Sequence, residues 1–132
     1  QLDWRLQNDP RVIRVERNAR FLEFEDIGEP VDLVTIDASF ISLELLLPRV
    51  PAVLKSDGLC LALVKPQFEV GRERVGKGGI VRNEADQREA VERIVRAGEQ
   101  CGLKSEGVCE SPITGKEGNR EFFVLFRYRS ER

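Results

Sequence analysis

Three charged residues in this 132-residue chain stand where an apolar run meets a loop: Asp37 closes VDLVTID, Lys65 follows LCLALV, and Glu121 opens EFFVLFRY. A lysine placed where a buried strand stops is not there for packing. Ligands of open α/β sheets bind at the carboxyl ends of the strands, and Asp37 and Lys65 both fall at such ends. Glu121 joins them if the last strand runs antiparallel, because its start then lies at the same edge. Each residue has an ordinary alternative: Asp37 as a turn or cap acid, Lys65 as an exposed lysine before a proline, Glu121 as a strand-start acid. Their joint placement favours the other reading, the catalytic edge of a nucleotide-cofactor α/β domain acting on a phosphate-rich substrate.

The segment after Lys65 extends that edge. KPQFEVGRERVGKGGIVR carries Arg72, Arg74, Lys77 and Arg82, cations able to meet the phosphates of a nucleic-acid backbone. The alternative is a solvated loop whose charge is balanced by Glu69 and Glu73. GRERVGKGG also fits the first part of a phosphate-loop pattern, but Gly78 stands where the Ser or Thr that binds Mg²⁺ is required. The match begins several residues after its strand, and Ile80-Val81 follows it in place of a helix. An NTPase is therefore excluded.

The strands and helices that must hold these residues can be read in order. RVIRVE, 11–16, is a short strand ending at an acid, which makes Glu16 a candidate cofactor contact. VDLVTID, 31–37, is the β-branched run of a buried parallel strand. Ser39 or Ser42 caps a following helix that carries Phe40, Ile41, Leu43 and Leu45 to Leu47, and Pro48 and Pro51 break it into two short pieces. Ser56-Asp57-Gly58 reads as a turn before a strand at 59–64. Asn83 is a good N-cap with Asp86 at the third helical position, and the apolar spacing predicts a helix over 84–101, stopped by Gly102. Strands at 103–109 and 121–128 flank a Pro/Gly-rich loop. This alternation implies a mostly parallel sheet with helices on its faces. One of the last two strands must run antiparallel, since no helix separates them.

The totals limit the remaining classes. The length suits one domain, and a net charge of −2 rules out a polycation, so any nucleic-acid contact must be local. There is no histidine, hence no imidazole base, His triad or His metal site; no metal centre is expected. The three cysteines, Cys60, Cys101 and Cys109, show no CxxC spacing and read as small core fillers in a reducing, cytoplasmic compartment. No apolar run approaches the ~18 residues of a membrane span. The chain starts at Gln1 and has no methionine, so it is expected to be a piece of a longer protein.

VDLVTIDASFISL, LALVKPQFEVGRERVGKGGIVRN and SPITGKEGNREFF, with ERNAR near the start, closely resemble blocks of the TlyA family, FtsJ-like RNA methyltransferases that also carry the name hemolysin. The resemblance runs over nearly the whole chain. It implies a Rossmann-like S-adenosylmethionine-dependent methyltransferase fold and methylation of the ribose 2′-hydroxyl of cytidine in ribosomal RNA, with ribosomal subunits as partners. FtsJ-like enzymes use a Lys-Asp-Lys-Glu tetrad; carried over, Asp37 is its aspartate, Lys65 its second lysine and Glu121 its glutamate. Asp37 and Ser39 would border the cofactor, with Glu16 as a weaker contact. The first lysine has no counterpart, and the family's S4-type RNA-binding domain and Gly-rich first turn would precede Gln1. Residues 1–132 are thus expected to be the C-terminal part of one methyltransferase domain. That part would be inactive alone and prone to associate through an open sheet edge. A non-catalytic RNA-binding factor is the first rival. The second, a membrane-active hemolysin, finds no basic amphipathic helix to support it.

Overall fold

The structure is a computed structural model that describes residues 29–115 and 118–129. The expected strand at 11–16, with Glu16, lies outside those residues. The described strands are β1 (Val31–Ile36), β2 (Leu54–Val64), β3 (Leu103–Glu110) and β4 (Phe122–Tyr128), in a sheet of order β1-β2-β4-β3. β1 pairs parallel with β2, and β4 pairs antiparallel with both β2 and β3. β1, β2 and β3 therefore point one way and β4 the other. The sheet is mixed, more so than the alternation of elements implied, because β4 inserts between two strands that would otherwise be parallel neighbours.

The helices are α1 (Leu43–Leu46), continued by a 3₁₀ turn over Leu47–Arg49, and α2 (Glu84–Gln100). Ser42, not Ser39, caps α1: its side chain accepts from the Glu44 N–H at 3.0 Å. Pro48 enters the 3₁₀ turn near its start, where its missing N–H costs nothing. The Asn83 side chain caps α2 by accepting from the Ala85 and Asp86 N–H groups.

Both helices cover one face of the sheet. Cys60, Ala62 and Val64 alternate along β2 toward that face and meet Val124 and Phe126 of β4. Leu43, Leu46 and Leu47 close the layer from one side, Ala90 and Ile94 of α2 from the other. Phe126 and Ile94 are fully enclosed, and burial of such side chains is worth about 1.5–3 kcal/mol each. α2 can approach β4 because Gly98 has no side chain; a Cβ there would lie 2.8 Å from Cζ of Phe126.

Two expectations need correction. Ser56-Asp57-Gly58 is not a turn before β2 but an irregularity within it, where the β1 register jumps from Val31↔Leu54 to Leu33↔Leu59. Asp57 takes a left-handed φ of 67° and Gly58 packs so closely that a Cβ would sit 2.8 Å from the Lys55 carbonyl. Among the cysteines, Cys60 is a core residue whose thiol burial and the neighbouring Cys101 push up to about 12. Cys109, however, is exposed on β3.

Candidate functional site

The strand registers bring the three charged residues to one edge. Ile36 pairs with Ala62, which sets Asp37 beside the last turns of the pleat of β2; Val64 pairs with Phe122, which sets Lys65 opposite Glu121. Lys65 Nζ lies 2.5 Å from Asp37 Oδ1 and donates to Ser39 Oγ at 3.1 Å. The lysine side chain is only 12% exposed, whereas the Asp37 side chain is 70% exposed. An amine sunk at a strand end is thus held by a carboxylate that still faces solvent.

Glu121 is buried at 7% exposure and is joined to this pair indirectly. Gln67, two residues beyond Lys65 in a 3₁₀ turn over Pro66–Phe68, donates from Nε2 to Glu121 Oε2 at 3.1 Å. The other amide atom, Gln67 Oε1, is buried with no hydrogen-bond partner. Such groups are uncommon in folded proteins, and here the orphan sits at the candidate site. Gly115 leaves the room that Glu121 fills, since a Cβ there would collide with the carboxylate. Nothing in the residue pattern marks Gln67 beyond its place in the Lys65 segment.

Phe40 also lies away from the position its spacing predicts. It counts as helical and apolar by spacing, yet it precedes α1, is 83% exposed and has a φ of 64°. A bulky side chain in that backbone region is costly. Its ring meets Phe68 at 4.9 Å between centroids, tilted by 53°. The signal available in the sequence is its position: an aromatic three residues after a candidate catalytic acid, in DASF.

The basic loop is arranged differently. Arg74 forms ion pairs with Asp86 and Glu89 on α2, and Arg82 Nη2 donates to the Lys77 carbonyl at 3.0 Å. Arg72 and Lys77 are exposed. Gly78 and Gly79 both take positive φ, 80° and 78°, in the turn between them and α2. The loop is fixed from below by Asn119, which accepts from the Val81 N–H at 2.9 Å and donates to the Gly79 carbonyl at 2.9 Å. It is not a phosphate cradle opening a helix: Gly76 N–H bonds back to the Ile80 carbonyl at 2.8 Å, and α2 starts only at Glu84.

The FtsJ-like methyltransferase family model matches residues 1–128. The chain belongs to this family. It is 45% identical over 133 residues to the 16S/23S rRNA (cytidine-2'-O)-methyltransferase TlyA of Mycobacterium tuberculosis, a match covering 100% of this chain and 50% of that protein. It is 34% identical to Hemolysin A of Brachyspira hyodysenteriae, covering 96% of this chain and 53% of the relative. The chain therefore spans about half the length of the curated relatives it matches. A solved structure of a Streptococcus thermophilus protein described as a hemolysin superposes with a TM-score of 0.88 at 38% identity, over 98% of this chain and 48% of that one. The N-methyltransferase NodS of Bradyrhizobium japonicum, solved with S-adenosyl-L-homocysteine, superposes with a TM-score of 0.59 at 9% identity, over 96% of this chain and 59% of its own, a likeness of fold alone. Among the described residues no helix is long and apolar enough to cross a membrane, and no group of His, Cys, Asp and Glu is placed to hold a metal ion.

Proposed function

We propose that the edge formed by Asp37, Lys65 and Glu121 transfers a methyl group from S-adenosylmethionine to the ribose 2′-hydroxyl of cytidine in ribosomal RNA. The observation that carries this reading is the 2.5 Å contact between Lys65 Nζ and Asp37 Oδ1 at the carboxyl edge of adjacent parallel strands, on a chain of the FtsJ-like family. The choice of cytidine and of ribosomal RNA rests on the name of the mycobacterial relative.

The residues present suit the cofactor. Asp37 offers a largely exposed carboxylate and Ser39 a hydroxyl at the strand edge where α/β folds bind their ligands, and a carboxylate suits a ligand with a cationic sulfonium and amino group. When bound, S-adenosylmethionine supplies an electrophilic methyl, so that an oxygen–carbon bond forms as the sulfur–carbon bond breaks. The chain's own work is to make a ribose hydroxyl nucleophilic. Lys65 stands beside the oxygen, either taking its proton or stabilising the negative charge that develops; such acid–base help is worth about 10²–10⁴-fold. Asp37 orients Lys65 and the bound groups, and Glu121, fixed by Gln67, accepts hydrogen bonds from the ribose. Phe40 presents an exposed ring at the rim on which a nucleobase can stack. Arg72 and Lys77 meet the backbone phosphates.

Incubating the full-length protein and its Lys65→Ala variant with labelled S-adenosylmethionine and ribosomal subunits tests this function. Label should enter ribosomal RNA only with the unsubstituted protein. Equal turnover by the variant would remove Lys65 from the reaction.

A further inference from the structure

The segments that carry Lys65 and Asp37 are fastened along their length. Lys65 meets Asp37 and Ser39, Phe68 meets Phe40, and Glu69 meets Ser42 and Leu43. Residues 65–69 and 37–43 thus run side by side as a ladder of side-chain contacts. Its open end is the candidate site, where Asp37 and Phe40 face solvent. Its closed end is Glu69, which is 6% exposed. There Ser42 Oγ donates to Glu69 Oε1 at 2.6 Å and the Leu43 N–H donates to Oε2 at 2.9 Å. Arg93 of α2 locks the same corner, donating to the Glu69 carbonyl at 2.9 Å and pairing with Glu44 at 2.6 Å.

A buried carboxylate is an expensive way to join two loops. An apolar pair of similar volume often serves stability as well or better. What the carboxylate adds is direction, because two short hydrogen bonds from a hydroxyl and a backbone N–H admit one arrangement of the two segments. Nothing about the proposed chemistry requires an acid at this depth, below the lysine and away from solvent.

We propose that Glu69 is a positioning residue that clamps the Lys65 segment to the Asp37 segment and so holds amine, carboxylate and the Phe40 ring in one register. The inference rests on the proposed methyl transfer and adds a residue to it. Glu69 touches neither Lys65 nor the substrate edge, so its removal should lower turnover while binding persists. Small displacements of catalytic groups can cost about 10²-fold.

The test compares Glu69→Ala, Glu69→Gln and Ser42→Ala in the full-length protein. Glu69→Ala should lower kcat by roughly 30- to 100-fold, with KM for ribosomal subunits and Kd for S-adenosyl-L-homocysteine changed less than about threefold. Glu69→Gln should restore kcat to within about threefold, because its amide oxygen can accept from Leu43 and its NH₂ can donate to Ser42. Ser42→Ala, which removes one rung together with the α1 cap and leaves the buried acid, should fall between them. Glu69→Ala turnover within about twofold of the parent, or a Gln variant no better than Ala, overturns the clamp. If Glu69→Ala does not fold, Ser42→Ala decides, and unchanged kcat there overturns it. Hydrogen exchange of 37–43 and 65–70 provides a readout without activity. Both segments should exchange faster in Glu69→Ala and not in Glu69→Gln, while α2 is unaffected. Faster exchange in a protein that never methylates RNA would sink the methyl-transfer reading and keep the clamp; unchanged exchange in an active protein would sink the clamp alone.

Discussion

Lys65–Glu69, with one basic and one acidic residue, is followed closely by the glycine-rich segment Gly71–Arg82, with four basic residues and one acidic. In the first, every other side chain reaches a remote part of the chain: Lys65 and Glu69 reach the 37–43 segment at Asp37, Ser39, Ser42 and Leu43, and Gln67 reaches Glu121. In the second, the cations turn to near neighbours, Arg74 to the first turns of α2 and Arg82 to the Lys77 carbonyl. The Lys65 side chain is 12% exposed and that of Arg74 is 41% exposed. A charge acquires a chemical role when the fold removes water from it and supplies partners from elsewhere. A cation with local partners mainly holds its own loop in place. Counting basic residues across both segments would have ranked the second one higher.

The largest effect is expected for Lys65→Ala, which should reduce methyl transfer by about 10³-fold or more, measured as label incorporated into ribosomal RNA at saturating substrates. Gln67→Leu should cost roughly 10- to 100-fold in kcat, because it leaves the buried Glu121 without the amide that fixes it; the KM for subunits should hardly move. If Gln67→Leu raises KM alone, Gln67 belongs to substrate binding and not to positioning.

Smaller effects are expected in the Gly71–Arg82 loop. Arg72→Ala and Lys77→Ala should each weaken RNA binding and reduce the slope of log affinity against log salt by about 1, read from binding titrations at several salt concentrations. Arg74→Ala should leave that slope unchanged and lower stability by about 0.2–1 kcal/mol in denaturant melts, the usual worth of exposed ion pairs. An Arg74 variant that loses salt dependence would show that the guanidinium leaves its acids for RNA.

The smallest effect is a pH dependence. Burial pushes the Glu69 carboxyl up from its ordinary 4.5, and Glu44 pushes the same way, against the Ser42 and Leu43 hydrogen bonds and Arg93. The folded protein then holds this proton to higher pH than the unfolded chain, so the Glu69 contribution is full below pH 4.5 and is lost as pH rises through the raised value. Exposed Glu106 and Glu110 act with the opposite sign, since Arg127 and Arg120 lower their carboxyls and their stabilisation is lost as pH falls. Melting curves of Glu69→Gln between pH 4 and 7 should lose the first trend and keep the second. Identical profiles for both proteins would show that Glu69 does not titrate in that range.

Much of this was legible in the sequence where one local signal dominated. The β-branched run VDLVTI specified β1 and its parallel pairing, and Asn83 with helical spacing specified α2 almost to the residue; the expected burial of β1 is not met, since each of its residues is half-buried or exposed. The expected antiparallel strand is β4, which places Glu121 at the edge that holds Asp37 and Lys65. The misses share a cause: tertiary contacts overrode a local signal. Ser56-Asp57-Gly58 has the composition of a turn, but pairing with β1 draws it into β2 as an irregularity. Phe40 fits a helical face by spacing, yet the chain between Asp37 and the Ser42 cap bends to place it outside. Glu69 reads as a counter-charge to nearby arginines, and only the fold shows it buried against Ser42, a residue 27 positions away.

The most direct measurement maps the methyl itself. Ribosomal RNA treated with the full-length protein and isotopically labelled S-adenosylmethionine is digested to nucleosides, and the labelled atom is located by mass spectrometry. The label should sit on the ribose 2′-oxygen of cytidine and be absent after treatment with Lys65→Ala. Label on a base, or ribose label undiminished by Lys65→Ala, would contradict the site built around Asp37, Lys65 and Glu121.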